Sequence, residues 1–291
     1  MRNLGHFFYV GSYGLATFIM IMALLISVVF RKDWFRVIHF NLFLANLFKN
    51  IMTMTWYINV IRDPEVVLFN PIWCQLTHNI TNYSNLASHF WLFAEAVNIY
   101  QTVVIVQSRM KDSFLPFALI GWGIPAIVVS IYSMTRIFYS ENTESCWTGT
   151  QGDFYIISAF NYGTLIADSV LLAMVIYIEK QMTKRFPRHV RMDAAMKSAK
   201  ASLILIPLYA VQDYLISKQQ SRLYALNVSC LIVSAVIAMF KGVLSATSHC
   251  LDNEDFVISC NSLSGCRQEE PEVEIPMTDM SGNIHRRDSP V

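Results

Sequence analysis

Residues 73–100 read WCQLTHNITNYSNLASHFWLFAEAVNIY, within an apolar and aromatic run over 74–107. That run is far longer than the ~20 residues a bilayer crossing requires. It nevertheless carries one acid, Glu95. A carboxylate in hydrocarbon costs about 2.5–3.5 kcal/mol on insertion scales, so Glu95 is expected to face a bundle interior and to find partners there. A cysteine at one end, Cys74, and a buried acid near the other predict a central, pinned helix.

Composition agrees with a membrane protein. The 291 residues are 54% hydrophobic and only 15% charged, too apolar for an ordinary soluble domain. The formal net charge of +1 is uninformative because the charges are segregated along the chain, and no nucleic-acid partner is expected. No HExxH, P-loop or GxSxG arrangement is present, so neither an enzyme nor a metal or other cofactor is expected.

Working outward, further apolar segments lie at 8–30, 38–61, 114–137, 154–179, 199–217 and 223–248. With 74–107 they make seven candidate spans, an all-α membrane bundle over 8–249. The first has only Arg2 ahead of it and no small-residue cleavage site, which suits a first helix or a signal anchor. Basic residues set the orientation. Arg31, Lys32 and Arg36, then Arg109 and Lys111, then Lys180, Lys184, Arg185, Arg188, Arg191, Lys197 and Lys200 occupy alternate loops. The opposite side holds Arg2, Arg62, Arg136, Lys218 and Arg222. This predicts a short extracellular N-terminus (1–7) and a cytosolic tail (250–291). The tail turns acidic and serine-rich, and is expected to be disordered after a short amphipathic start.

Cys74 and Cys146 then share the oxidising side, where a disulfide persists. A bridge between them would staple the second outer loop over the bundle mouth; two unrelated free thiols are the alternative. Cys230 reads as a small buried apolar residue, and Cys250, Cys260 and Cys266 as cytosolic. The sequons at Asn79, Asn82 and Asn227 fall within or at the edge of spans and read as chance.

Among polar residues at membrane depth, His39, Glu95, Ser202 and His249 fall toward the cytosolic side of four helices. They are expected to share a polar cluster able to define one of two packings. Lys49, Asp168, Gln212 and Asp213 lie higher and would line an outer cavity. Snorkelling toward an interface is the alternative, plausible for Asp213 and less so for Lys49. Pro125, after Gly121-Trp122-Gly123, and Pro207 are kink candidates. The final Ser289-Pro290-Val291 suits capture of a free carboxylate by a PDZ domain.

The motifs carry a resemblance. Trp73-Cys74-Gln75-Leu76, Asn82-Tyr83 and Phe90-Trp91-Leu92-Phe93-Ala94-Glu95 resemble the third helix of secretin-family (class B) G-protein-coupled receptors, nearest the corticotropin-releasing factor and diuretic-hormone branch. Ile38-His39-Phe40-Asn41-Leu42 and Lys49-Asn50 resemble the second helix. Ile120 to Pro125, with Trp122, resembles the fourth, and Cys146-Trp147 the second outer loop. Lys200-Ala201-Ser202-Leu203 with Pro207-Leu208 resembles the sixth helix. Gly242, His249-Cys250-Leu251, Asn253 and Asp255 parallel the end of the seventh. The chain departs from the pattern at Ser88, Ala210, Lys241 and His249, where the family has asparagine, glycine, glutamine and tyrosine.

The resemblance implies a multi-pass plasma-membrane receptor that passes an extracellular neuropeptide signal to a heterotrimeric G protein, by family default a cAMP-raising one. His39, Glu95, Ser202 and His249 would form the activation lock. Lys184, Arg185, Lys197, Lys200 and Asp255 would flank the G protein. Family members carry a hormone-capturing domain ahead of helix one, whereas about seven residues precede the first span here. The implied options are a truncated chain, a short isoform acting as decoy or trafficking partner, or a receptor that binds with the bundle alone. A transporter is a further rival, but no inverted repeat is visible.

Overall fold

Each helix follows an apolar run and stops where local chemistry stops it. The computed structural model describes residues 2–29, 34–104, 114–138, 145–147, 154–183 and 190–218, with six helical positions between 233 and 243. No strand occurs among the described residues. Helix α1 is Arg2–Val29 and α2 is Trp34–Trp56, extended by a π-turn over Tyr57–Ile61. The short α3, Pro64–Phe69, has an N-terminal proline and a cap from Asp63, whose side chain accepts from Glu65 N at 3.1 Å. It ends at Asn70 in the left-handed region (φ 47°), a conformation asparagine tolerates better than most residues.

The central helix α4 is Ile72–Val104, confirming one continuous helix around Glu95. Then come α5 (Leu115–Ala118), a π-turn over Leu119–Gly123, α6 (Ile124–Phe138), α7 (Phe154–Thr183) and α8 (Val190–Lys218). Helix α4 packs against α2, α6, α7 and α8, which makes it the hub. Trp91, Leu92, Ala94, Ala96 and Ile99 supply its share of the main core, against Ile38, Leu42, Leu165, Leu172, Leu205 and Tyr209. Helix α1 meets the π-turn that extends α2 through Tyr9, whose ring lies 4.1 Å from that of Tyr57 and 4.7 Å from that of Tyr13 on α1 itself.

Several boundaries differ from expectation. Helix α1 starts at Arg2 rather than 8, since no proline interrupts residues 2–7. The basic stretch expected to be a loop is largely helical: α7 runs to Thr183, and α8 begins at Val190, with Arg191, Lys197 and Lys200 on it. Alanine, methionine, lysine and arginine dominate 191–200, and all are good helix formers. The segment 223–248 lies mostly outside the described residues.

By length and hydropathy, Phe7–Leu25, Leu115–Phe138 and Tyr155–Ile178 qualify as membrane spans, and Ser202–Leu215 is a shorter apolar stretch. Helices α2 and α4 do not qualify, because Lys49, Asn50, His89, Glu95 and Asn98 interrupt their apolar runs. Those residues are buried by neighbouring helices, so they do not meet lipid.

Proline is accommodated without a chain break. Pro125 lacks an N–H for the preceding turn, and the π-turn lies immediately before it, at Leu119–Gly123. Helix α8 continues through Pro207. Gly121 has a different task. A Cβ there would overlap the indole of Trp91, which is fully buried and packed between Phe114 (6.2 Å) and Trp122 (5.8 Å). A Cβ on Gly123 would meet only Leu119 at 3.6 Å, an ordinary contact. Gly121→Ala is therefore expected to destabilise by about 1–3 kcal/mol, as overpacking does, and Gly123→Ala to be nearly silent. Thermal midpoints of the two purified variants decide it; equal midpoints would mean that the close approach of Trp91 does not matter.

Candidate functional site

Two polar clusters lie in the bundle, both hung on α4. In the first, Glu95 sits a few residues past Trp91, on the face of α4 turned toward α2 and α8. Its Oε1 lies 3.3 Å from His39 Nδ1 on α2 and accepts from Ser202 Oγ on α8, also at 3.3 Å. Glu95 and Ser202 are buried. One acid thus ties three helices, and these three of the four expected lock residues come together. His249, the fourth, lies outside the described residues. Trp122 braces the same region: its Nε1 donates to Asn41 Oδ1 on α2 at 3.2 Å, and its carbonyl accepts from Tyr83 OH on α4 at 3.4 Å.

The second cluster joins α1, α2, α4 and α8. Asp213 lies between two bases, Lys49 Nζ at 3.5 Å from Oδ1 and His89 Nε2 at 2.7 Å from Oδ2. Lys49, 1% exposed, also lies over the Tyr209 ring, 5.0 Å from its centroid. The Tyr209 hydroxyl donates to Asn46 Oδ1, and Asn46 Nδ2 donates to Leu42 O at 2.9 Å within α2. Gln212 Nε2 donates to Tyr13 OH on α1 at 3.0 Å. Buried charges persist when paired, and here the two carboxylate oxygens of Asp213 each have a basic side chain within ion-pair distance, with Lys49 Nζ donating to Oδ1. Asp213, 8% exposed and set against Lys49 and His89, does not take the snorkelling alternative.

Lys49, Gln212 and Asp213 were expected in one place and are found there. Asp168 is fully buried on α7, with neither carboxylate oxygen hydrogen-bonded to a described residue. His89, Tyr209, Asn46 and Tyr13 were not anticipated. His89 was visible in principle, an ionisable residue inside an apolar run. The two tyrosines read as ordinary aromatic core until their hydroxyls found partners.

The end of the bundle at the start of α4 is closed covalently. Cys74 and Cys146 form a disulfide with Cα atoms 5.5 Å apart, which excludes the two-free-thiol reading. Asn70 Oδ1 accepts from Cys146 N at 2.9 Å and from Gln75 Nε2 at 3.1 Å. Ser145, Cys146 and Trp147 all have positive φ (53–60°), a run that non-glycine residues adopt only when held. Arg136 holds it, donating through Nη2 to Trp147 O at 3.1 Å and through Nε to Tyr132 OH at 3.3 Å.

On the opposite side, Lys200 is exposed on α8, and Lys197 lies on the same helix. Lys184, Arg185, Gly242, Asp255, Ser289 and Val291 lie outside the described residues. No group of three or more metal-ligating side chains occurs among the described residues.

Comparison with known proteins gives a consistent result. The family described as 7 transmembrane receptor (Secretin family) matches residues 1–244. A calcitonin gene-related peptide type 1 receptor of Danio rerio is 26% identical over 218 residues, covering 74% of this chain and 45% of that one. The calcitonin receptor of Homo sapiens is 23% identical over 248 residues, 84% of this chain and 51% of that one. Corticotropin-releasing factor receptor 2 of Rattus norvegicus is 28% identical over 221 residues, 75% and 52% respectively. The chain spans about half the length of the curated relatives it matches.

Proposed function

Because the chain belongs to the secretin family of seven-transmembrane receptors, we propose that it is a seven-helix bundle, N-terminus outside, that signals an extracellular peptide to a heterotrimeric G protein. It is a multi-pass protein of the plasma membrane. The observation that carries the proposal is the Glu95 junction. A single buried acid holding α2 and α8 to the hub helix is a contact that an outward movement of α8 must break. The Lys49–Asp213–His89 cluster, at the level where the outer cavity is expected, would meet the peptide end that enters the bundle. Peptide binding then favours one of two packings by its differential affinity for them. The relatives include a calcitonin receptor and a corticotropin-releasing factor receptor, so peptides of those two classes are the first ligands to test.

Glu95→Gln and His39→Ala are expected to change basal signalling. An intramembrane hydrogen bond contributes about 0.6 kcal/mol on average and up to ~1.7. Since about 1.4 kcal/mol is tenfold, the active-to-inactive ratio should shift about threefold to sixteenfold. The measurement is cAMP in cells expressing each variant at matched surface level, with and without peptide. Unchanged basal and stimulated cAMP in both variants would leave the junction a packing feature and remove the main support for the receptor mechanism.

A further inference from the structure

The corner between α3 and α4 carries an apolar surface that the bundle does not cover. Leu68 and Phe69 are each 81% exposed, Ile72 is 75% and Trp73 46%. Only Asn70 and Pro71 separate the two pairs, and Asn70 is fixed there by its left-handed backbone and by its bonds to Cys146 and Gln75. The other face of α3 is already used: Val66 and Val67 pack on Val60, Cys74 and Cys146. At the opposite end of α3, Arg62, Asp63 and Glu65 are exposed and polar. The element is therefore amphipathic, with its apolar tip turned away from the disulfide.

We propose that Leu68, Phe69, Ile72 and Trp73 form an anchor that seats this corner in the interfacial region of the outer leaflet. It rests on the outward orientation proposed above. The partner is lipid because the surface is continuous with the outer face of α4, where Leu76 and Ile80 are exposed on the same side, one and two turns below Ile72. An aromatic belt at headgroup level, with apolar side chains reaching the acyl boundary, is the usual way to set the depth of a membrane element. The anchor would hold the first outer loop and the Cys74–Cys146 clasp at one height.

The test uses the full chain in lipid nanodiscs and the difference in tryptophan emission between it and Trp73→Phe. Lipids brominated near the headgroup are expected to quench most of the Trp73 contribution, lipids brominated near the chain ends much less, and aqueous iodide little. Leu68→Ser with Phe69→Ser should reverse that order, while the intact disulfide, read by mass, shows that the corner still folds. Strong iodide quenching with no effect of brominated lipid would overturn the anchor and leave the surface for a protein or peptide partner. In cells, Arg62→Cys should react with an impermeant maleimide from outside. Failure of that labelling overturns the orientation, and with it the assignment to the outer leaflet; labelling without lipid quenching overturns the anchor alone.

Discussion

Asp213→Leu is expected to cost about 3–5 kcal/mol, the usual consequence of stripping one partner from a buried ion pair. Lys49 is 1% exposed and Asp213 is its charge partner at 3.5 Å, with His89 close to the second oxygen. Without the carboxylate, two basic side chains face the same apolar pocket beside Tyr209. Lys49→Met should cost less, since Asp213 keeps His89 at 2.7 Å. The double variant Lys49→Met with Asp213→Leu should recover much of the loss, because no uncompensated charge is left at either position. Thermal midpoints of the four proteins in one detergent close the cycle. Additive single effects would show that Lys49 and Asp213 do not interact, and that their proximity has no energetic meaning. The same four proteins assayed with peptide would separate stability from ligand contact: a pure packing role leaves peptide potency unchanged at matched surface level.

Cys74→Ser, Cys146→Ser and the double variant are all expected to lose the same stability, because one bond is removed in each. For a sequence separation of 72 residues, loop-closure entropy gives about 4 kcal/mol. That figure is an upper bound here, since a bilayer keeps the helices of the unfolded chain partly ordered and the loop less free. The strained Ser145–Trp147 run should relax once the bond is gone, so surface delivery should fall in all three variants alike. The checks are unfolding midpoints from intrinsic fluorescence and surface labelling in cells. Additive losses in the double variant, or a native mass showing two free thiols, would sink the pairing.

The two glycines of the Gly121-Trp122-Gly123 stretch show the limit of reading a chain alone. In sequence they are equivalent, small residues that let helices approach. In space Gly121 lies against the Trp91 indole and Gly123 against a movable leucine side chain. Nothing local distinguishes them, because the distinguishing atom belongs to another helix.

The sequence by itself determined the apolar runs, the central helix with its one acid, and the family. Those properties depend on composition, on period and on motifs a few residues long. It also identified His39, Glu95 and Ser202 as anomalous, since an ionisable or polar group at membrane depth needs a partner wherever it is. Tertiary structure alone decided which partner each has. Asp213 lies against Lys49 and His89, whereas neither oxygen of Asp168 is hydrogen-bonded to a described residue. It also made two tyrosines, Tyr13 and Tyr209, into hydrogen-bonding members of the cluster around Asp213. The physical reason is that hydropathy adds over one helix, whereas the energy of a buried polar group is set by what other helices place against it.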